Sequence, residues 1–206
     1  MRYGIKEFQY VPNNLKNTKS DKLELIKSYD KLCIQRLVSS KTRLVVTKAN
    51  PSVITISTIE TIVLDPKSDY NIDFIIGILN SNLITYYVID HIFMQSRLTT
   101  SLDKEYVKLL PIPKILKEDQ EQLIQIAKNL EDIVKSGNSK NLDVKTIENS
   151  EEFKEKEILL NNTVYNYYGL TNDEISMIEG ILLDFLLNLI YFLLIRVEYD
   201  ILFHFL

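Results

Sequence analysis

The chain has no tryptophan, one cysteine, five glycines and five prolines in 206 residues. A lone cysteine excludes an internal disulfide. Cys33 stands in the apolar run Lys31-Leu32-Cys33-Ile34-Gln35-Arg36-Leu37-Val38 with no histidine or second cysteine beside it, so it reads as a buried structural thiol. Few glycines and prolines leave regular structure to dominate. Histidine is scarce as well. His91 and His204 are the only two, a poor basis for a histidine-bound metal. No glycine-rich phosphate loop and no Gly-x-Ser-x-Gly turn is present. The N-terminus, Met1-Arg2-Tyr3-Gly4-Ile5-Lys6-Glu7, lacks an apolar stretch of signal-peptide length, which points to the cytoplasm.

Fragments of catalytic motifs occur but do not hold up. His91 lies in Ile89-Asp90-His91-Ile92-Phe93, where a carboxylate next door suits a hydrogen-bonded structural histidine better than a general base. Glu152-Phe153-Lys154 matches the Glu-x-Lys piece of metal-dependent nucleases, yet it sits in a Glu/Lys-rich helix start where solvated charges are expected. Asn50-Pro51-Ser52 lacks the second proline and the aromatic of the Asn-Pro-Pro-Tyr/Phe motif of amino-methyltransferases. No catalytic and no metal-binding residue is assigned.

What is present is an ordinary globular composition, 46% hydrophobic and 25% charged, sufficient for one domain or two, with one favoured. The net charge of −4 conceals a gradient. Residues 1–50 hold 11 Lys and Arg against 4 Asp and Glu; residues 118–206 hold 7 against 17. A basic front suits an anionic partner, and an acidic back suits something else.

Asn13 to Ser20 reads as a polar loop and Asp21 to Ser28 as a short helix capped by Ser20. Three stretches rich in Val, Ile and Thr follow: Leu32 to Val38, Thr42 to Lys48 and Ser52 to Leu64. A buried helix is expected over 72–89. Gly77 in its middle costs about 1 kcal/mol against alanine, so a close neighbour should explain it. Residues 90–109 read as a polar connection. Leu123, Ile126, Ala127, Leu130, Ile133 and Val134 then share one helical face between Lys117 and Lys135, and Ser136-Gly137-Asn138-Ser139 should end that helix. After a linker over 138–150, a helix should run from Ser150 to Tyr168 and stop at Gly169. Thr171 and Glu174 form a capping box for a further helix. The fold class expected is α+β: a β-rich N-terminal part packed on a central helix, then a helical C-terminal part. The division is 1–117, a β-rich part with the central helix, 118–180, a helical part, and 181–206, an apolar tail.

That tail is anomalous. Asp184 and Asn188 interrupt it on one side, and Arg196, Glu198 and Asp200 on the other. The uninterrupted core, Leu189 to Ile195, is too short for the roughly 20 residues of a membrane span. A membrane partner is therefore not favoured; a buried helix or a stretch altered by a change of reading frame fits better.

Three short segments stand out in order: Gly77-Ile78-Leu79-Asn80-Ser81-Asn82-Leu83, Leu110-Pro111-Ile112-Pro113, and Val164-Tyr165-Asn166-Tyr167-Tyr168-Gly169-Leu170-Thr171 with Asp173 and Glu174. In this order and spacing the chain resembles, over about residues 30–179, the TaqI-like C-terminal specificity region of restriction-modification DNA methyltransferases. The resemblance implies a non-catalytic module that recognises double-stranded DNA and directs an adenine-type methyltransferase or an endonuclease on another domain or chain. S-adenosylmethionine and magnesium are then expected only on those catalytic parts. The tail after Gly180 departs from the family, which usually stops near this point. A separate subunit, a split enzyme and a frame-shifted end all accommodate it.

The three motifs read as architecture: helix packing, helix entry and helix stop. Base contacts should come from less regular chain, where Arg, Lys, Asn or Gln reach base edges and other basic groups reach phosphates. The loop from Met94 to Lys104 lies where the family varies, so Gln95, Arg97, Thr99 and Lys104 are the candidate readers. Arg36, Lys41, Arg43 and Lys48 are candidates for phosphate or base contacts. The competing expectation is a helical protein-interaction module, or a truncated remnant, with no DNA role.

Overall fold

The structure, a computed structural model, describes residues 2–3, 29–38, 43–51, 53–55, 58–94 and 100–183. Its strands are β1 (Lys31–Gln35), β2 (Leu37–Val38), β3 (Val46–Ala49), β4 (Ile59–Val63) and β5 (Thr100–Ser101). The helices are α1 (Ile72–Leu79), α2 (Asn82–Tyr87), α3 (Lys104–Val107), α4 (Glu121–Ser139), α5 (Val144–Glu148), α6 (Glu151–Tyr167) and α7 (172–183). A π-helical turn, Val88–Ile92, extends α2, and a 3-10 turn, Lys117–Gln120, leads into α4. This is the α+β arrangement expected, strands first and helices after.

β1 is the middle strand of an antiparallel sheet ordered β3-β1-β4. Its alternation places Leu32 and Ile34, with Val46 and Ile62, in the core cluster that α1, α4 and α6 complete. Cys33 pairs with Thr47 and Thr61 in the strand register. Burial pushes its thiol up to about 11, which keeps it protonated and inert, as its apolar context suggests. Lys31 is buried too, and its ammonium donates to the carbonyls of Pro51 and Val53 at 2.9 and 2.8 Å. β3 and β4 flank β1, so the chain joining them must cross it, and Lys31 pins that crossing. β2 leaves the sheet to pair with β5.

The single helix expected over 72–89 is two helices, bent by 58° at Asn80-Ser81. The side chains of the break stabilise it. The Ser81 hydroxyl donates to the Ile78 carbonyl at 2.7 Å, closing α1, and accepts from the Ile84 amide at 3.3 Å, opening α2. Asn80 is 1% exposed and forms two 2.9 Å bonds with the backbone of Val46, one from the Val46 amide and one to its carbonyl. The preceding carbonyl, that of Val45, accepts from Gln35 on the β1 side. Val46 therefore turns its polar pair outward, and Asn80 occupies the place of a missing strand. Tyr3 adds a 3.3 Å bond from its amide to the same Val46 carbonyl.

Gly77 meets its expected close neighbour. A Cβ there would lie 2.8 Å from Leu123 Cγ, and Leu123 is fully buried in α4. Gly137 differs from expectation. It stays inside α4, which runs to Ser139, and lets α5 approach: a Cβ would meet Ile147 Cδ1 at 2.5 Å. The stretch expected to be a linker thus holds α5. Gly169 ends α6 at φ 64°, and Leu170 donates back to the Tyr165 carbonyl at 3.1 Å. Glu174 accepts from the Thr171 amide at 2.7 Å while Thr171 Oγ1 accepts from the Glu174 amide at 3.4 Å, the capping box that opens α7. The helix expected from Asp21 to Ser28 and the tail from Asp184 onward lie outside the described residues. No single described helix is long and apolar enough to cross a membrane.

Asn80→Ala strips two partners from buried backbone groups, each worth about 1–3 kcal/mol if left unmet, so a loss of about 2–4 kcal/mol is expected in urea unfolding. Gly77→Ala gains about 1 kcal/mol of helix propensity. It overpacks Leu123, a cost of about 1–3 kcal/mol, so the melting temperature should fall rather than rise.

Candidate nucleic-acid interface

The loop expected to read bases is flanked by two described supports. On its N-terminal side the π-helical turn ends in Phe93 and in Met94, which has φ 49° and is 79% exposed. His91 in that turn stacks on Tyr87, ring centroids 5.1 Å apart at 12°, and its Nδ1 lies 3.3 Å from Asp90. The Tyr86 hydroxyl donates to the same carboxylate at 3.4 Å. The carboxylate beside His91 is thus an orienting partner, the structural role expected. Phe93 meets Tyr106 of α3 edge-on at 6.4 Å.

On the C-terminal side, β5 pairs with β2, and the Leu102 amide donates to the Arg36 carbonyl at 2.7 Å. The Arg36 guanidinium pairs with Asp103, which also accepts from the Ser101 hydroxyl. The Ser101 bond first, and the Arg36 bond with it, hold the Asp103 carboxyl below its ordinary value. Arg36 lies 3.9 Å from Glu60 as well. One arginine thus ties β4, the β2–β5 ribbon and the start of α3 together.

The other described candidates are also engaged. Arg43 pairs with Glu157 of α6 at 2.6 Å. Lys48 bonds Asp73 of α1 at 2.7 Å and lies 3.5 Å from Glu131 of α4. Burial pulls the Lys48 ammonium down, yet those two carboxylates outweigh it and raise its pKa. Lys104 is exposed at the first turn of α3. Lys41, Gln95, Arg97 and Thr99 lie outside the described residues. Sequence reasoning passed over Lys108, Lys114 and Lys117, although residues 104–117 carry four lysines against one carboxylate, a signal visible in the sequence. Among the described residues no cluster of three or more His, Cys, Asp or Glu is placed to hold a metal ion. Phe153 of the Glu-x-Lys fragment is fully buried between exposed Glu152 and Lys154, the pattern of a helix surface.

The three sequence motifs meet in space. The Asn82 amide nitrogen donates to Asn161 of α6 at 2.8 Å, and its side chain donates to Glu179 of α7 at 2.9 and 3.0 Å. The Tyr165 hydroxyl donates to the same Glu179. The Tyr168 hydroxyl donates to the Pro111 carbonyl at 2.6 Å, and Tyr70 donates to the Pro113 carbonyl at 3.3 Å. These tyrosines are spent on architecture, so the residues left to touch a ligand lie between the motifs. The Asp103 clamp should be pH-sensitive. Its folded pKa is depressed, so the clamp is intact above 3.8, the ordinary value, and is lost as pH falls through the lower folded value. An NMR titration should place the Asp103 midpoint below 3.8, and Ser101→Ala should move it back up.

Residues 1–112 match the family of the TaqI-like C-terminal specificity domain. No curated protein matches the chain. Among solved structures it is similar to the type IIL restriction-modification enzyme MmeI in complex with DNA, with TM-score 0.53 and 16% identity, over 77% of this chain and 21% of that one. At that identity the likeness is one of fold, and the chain spans about a fifth of the enzyme. The family match covers more than half of the sequence, including the sheet, the break at Asn80-Ser81 and the Leu-Pro-x-Pro step: the chain belongs to the TaqI-like C-terminal specificity domain family.

Proposed function

We propose that this chain reads the base sequence of duplex DNA for a restriction-modification system and leaves methyl transfer and cleavage to another domain or chain. The observation that carries the reading is membership of a specificity-domain family over residues 1–112. The β2–β5 ribbon, the π-helical turn and α3 form a braced frame on either side of the variable loop, which suits that role. In this reading Gln95, Arg97, Thr99 and Lys104 approach base edges, and Arg36, Lys41, Arg43 and Lys48 approach phosphates or bases. The catalytic partner is an adenine-type methyltransferase or an endonuclease. S-adenosylmethionine and magnesium belong to that partner, and the complex works in the cytoplasm.

Selection of randomised duplex DNA on the purified chain at about 50 mM salt, where phosphate contacts are strong, tests the reading. Enrichment of a motif of a few base pairs is expected. A folded chain that binds no DNA at this salt would favour the protein-interaction alternative instead. Arg97→Ala should cost about 1–3 kcal/mol on the selected motif and little on random duplex. Equal losses on both would count against Arg97 as a reader.

A further inference from the structure

The basic residues of the N-terminal part are largely committed inside the fold. Arg2 pairs with Glu148 and Glu157, Arg43 with Glu157, and Lys48 with Asp73 and Glu131. A phosphate taken up by any of these must displace a partly buried carboxylate and leave it unpaired, which is costly. Counterion release needs cations that stand in solvent without such partners. The stretch from α3 to the 3-10 turn supplies them.

Lys104, Lys108, Lys114 and Lys117 are all exposed, as are Tyr106, Leu109 and Leu116 among them. Glu105 is the single carboxylate of the stretch, and it reaches Lys108 at 3.0 Å. That pair is fully on the surface, where such pairs contribute little, so it does not withhold Lys108. No ion pair joins Lys104, Lys114 or Lys117 to a carboxylate among the described residues. The backbone beneath is fixed. Tyr168 and Tyr70 hold the Pro111 and Pro113 carbonyls, and Gln120 donates to the Ile115 carbonyl at 3.2 Å. Residues 111–116 run without helix or strand pairing. Six extended residues at about 3.1–3.4 Å each span about 20 Å, which matches about six nucleotides of one strand at 3.4 Å per step.

We propose that Lys108, Lys114 and Lys117, carried on the Leu-Pro-x-Pro step, form a strip that contacts the phosphate backbone of duplex DNA. The strip continues from Lys104 away from the reading loop. It supplies affinity and register and carries no sequence information. The proline carbonyls bound by tyrosines keep the strip rigid, so its lysines lose little backbone entropy on binding. This inference rests on the DNA-reading role proposed above.

The test is fluorescence-anisotropy binding of the full chain to the selected duplex and to random duplex between 50 and 200 mM salt. Three lost phosphate contacts should make the log-affinity against log-salt slope of Lys108→Gln/Lys114→Gln/Lys117→Gln shallower by about 2.7. The wild-type advantage then shrinks about 40-fold across that salt range, equally on both duplexes, while the selected motif stays the same. Lys114→Gln and Lys117→Gln alone should each lower the slope by about 0.9, and they carry the test if the triple variant is unstable. The control Lys128→Gln/Lys140→Gln/Lys145→Gln removes the same charge outside the strip and should leave the slope unchanged. An unchanged slope in the strip variants, or an equal drop in the control, overturns the strip while leaving DNA reading intact. A wild-type chain that binds neither duplex overturns the reading, and the strip with it.

Discussion

The two hydrogen bonds between the Asn80 side chain and the Val46 backbone hold the sheet to the helices. An amide side chain presents a donor and an acceptor side by side, which is what one residue of a neighbouring β-strand would present. Asn80 therefore ends an exposed sheet edge with a single residue, in a setting where both of its bonds are shielded from water. The next two residues extend the node. Ser81 closes α1 and opens α2, and Asn82 reaches α6 and α7. A helix continued through this point would point Asn80, Ser81 and Asn82 in three unrelated directions. The 58° bend is what lets them serve the sheet, the turn and the helical back together.

Charge plays a different part from the one its distribution suggests. A basic front and an acidic back look like two faces for two partners. In the fold they are partly each other's partners, because α4, α5 and α6 bring Glu131, Glu148 and Glu157 against Lys48, Arg2 and Arg43. Arg2 lies under Glu148 and Glu157 and also 5.5 Å over the Phe153 ring, where burial and the two carboxylates compete and its pKa stays raised. The gradient along the sequence is thus in part a record of long-range pairing. What remains for an outside anion is the cation content that the fold does not consume.

Local signals were the legible ones. Gly169 and the Thr171–Glu174 box were readable because their chemistry acts within five residues, and the structure bears out both. The α+β order followed from β-branched runs preceding 3.6-residue periodicity. The bend at Asn80-Ser81 was not readable from periodicity. The apolar residues of 72–89 surround the helix, so no face changes phase at the break, and the bonds that stabilise it come from Val46 and Asn161, far away in sequence. Gly137 was misread for a related reason. Beside Ser136 and Asn138 it looks like a stop, but its role is set by Ile147, ten residues on. The candidate cations Arg43 and Lys48 were chosen for type and position, and sequence alone does not show that carboxylates from α1, α4 and α6 reach them.

The interlock of the three motifs bears on how such a module can change its target. Asn82, Tyr165 and Tyr168 bond one another's neighbourhoods through Glu179 and the Pro111 carbonyl, so substitution there disturbs several elements at once. The β2–β5 ribbon and the Arg36–Asp103 pair isolate the reading loop from that interlock, since they close its base with bonds that do not involve the loop's own side chains. A loop with a closed base can exchange residues without moving the sheet or the helices. The constraint on the motifs and the freedom between them are therefore one property of the fold: rigidity concentrated at the ends of the loop is what permits variation inside it.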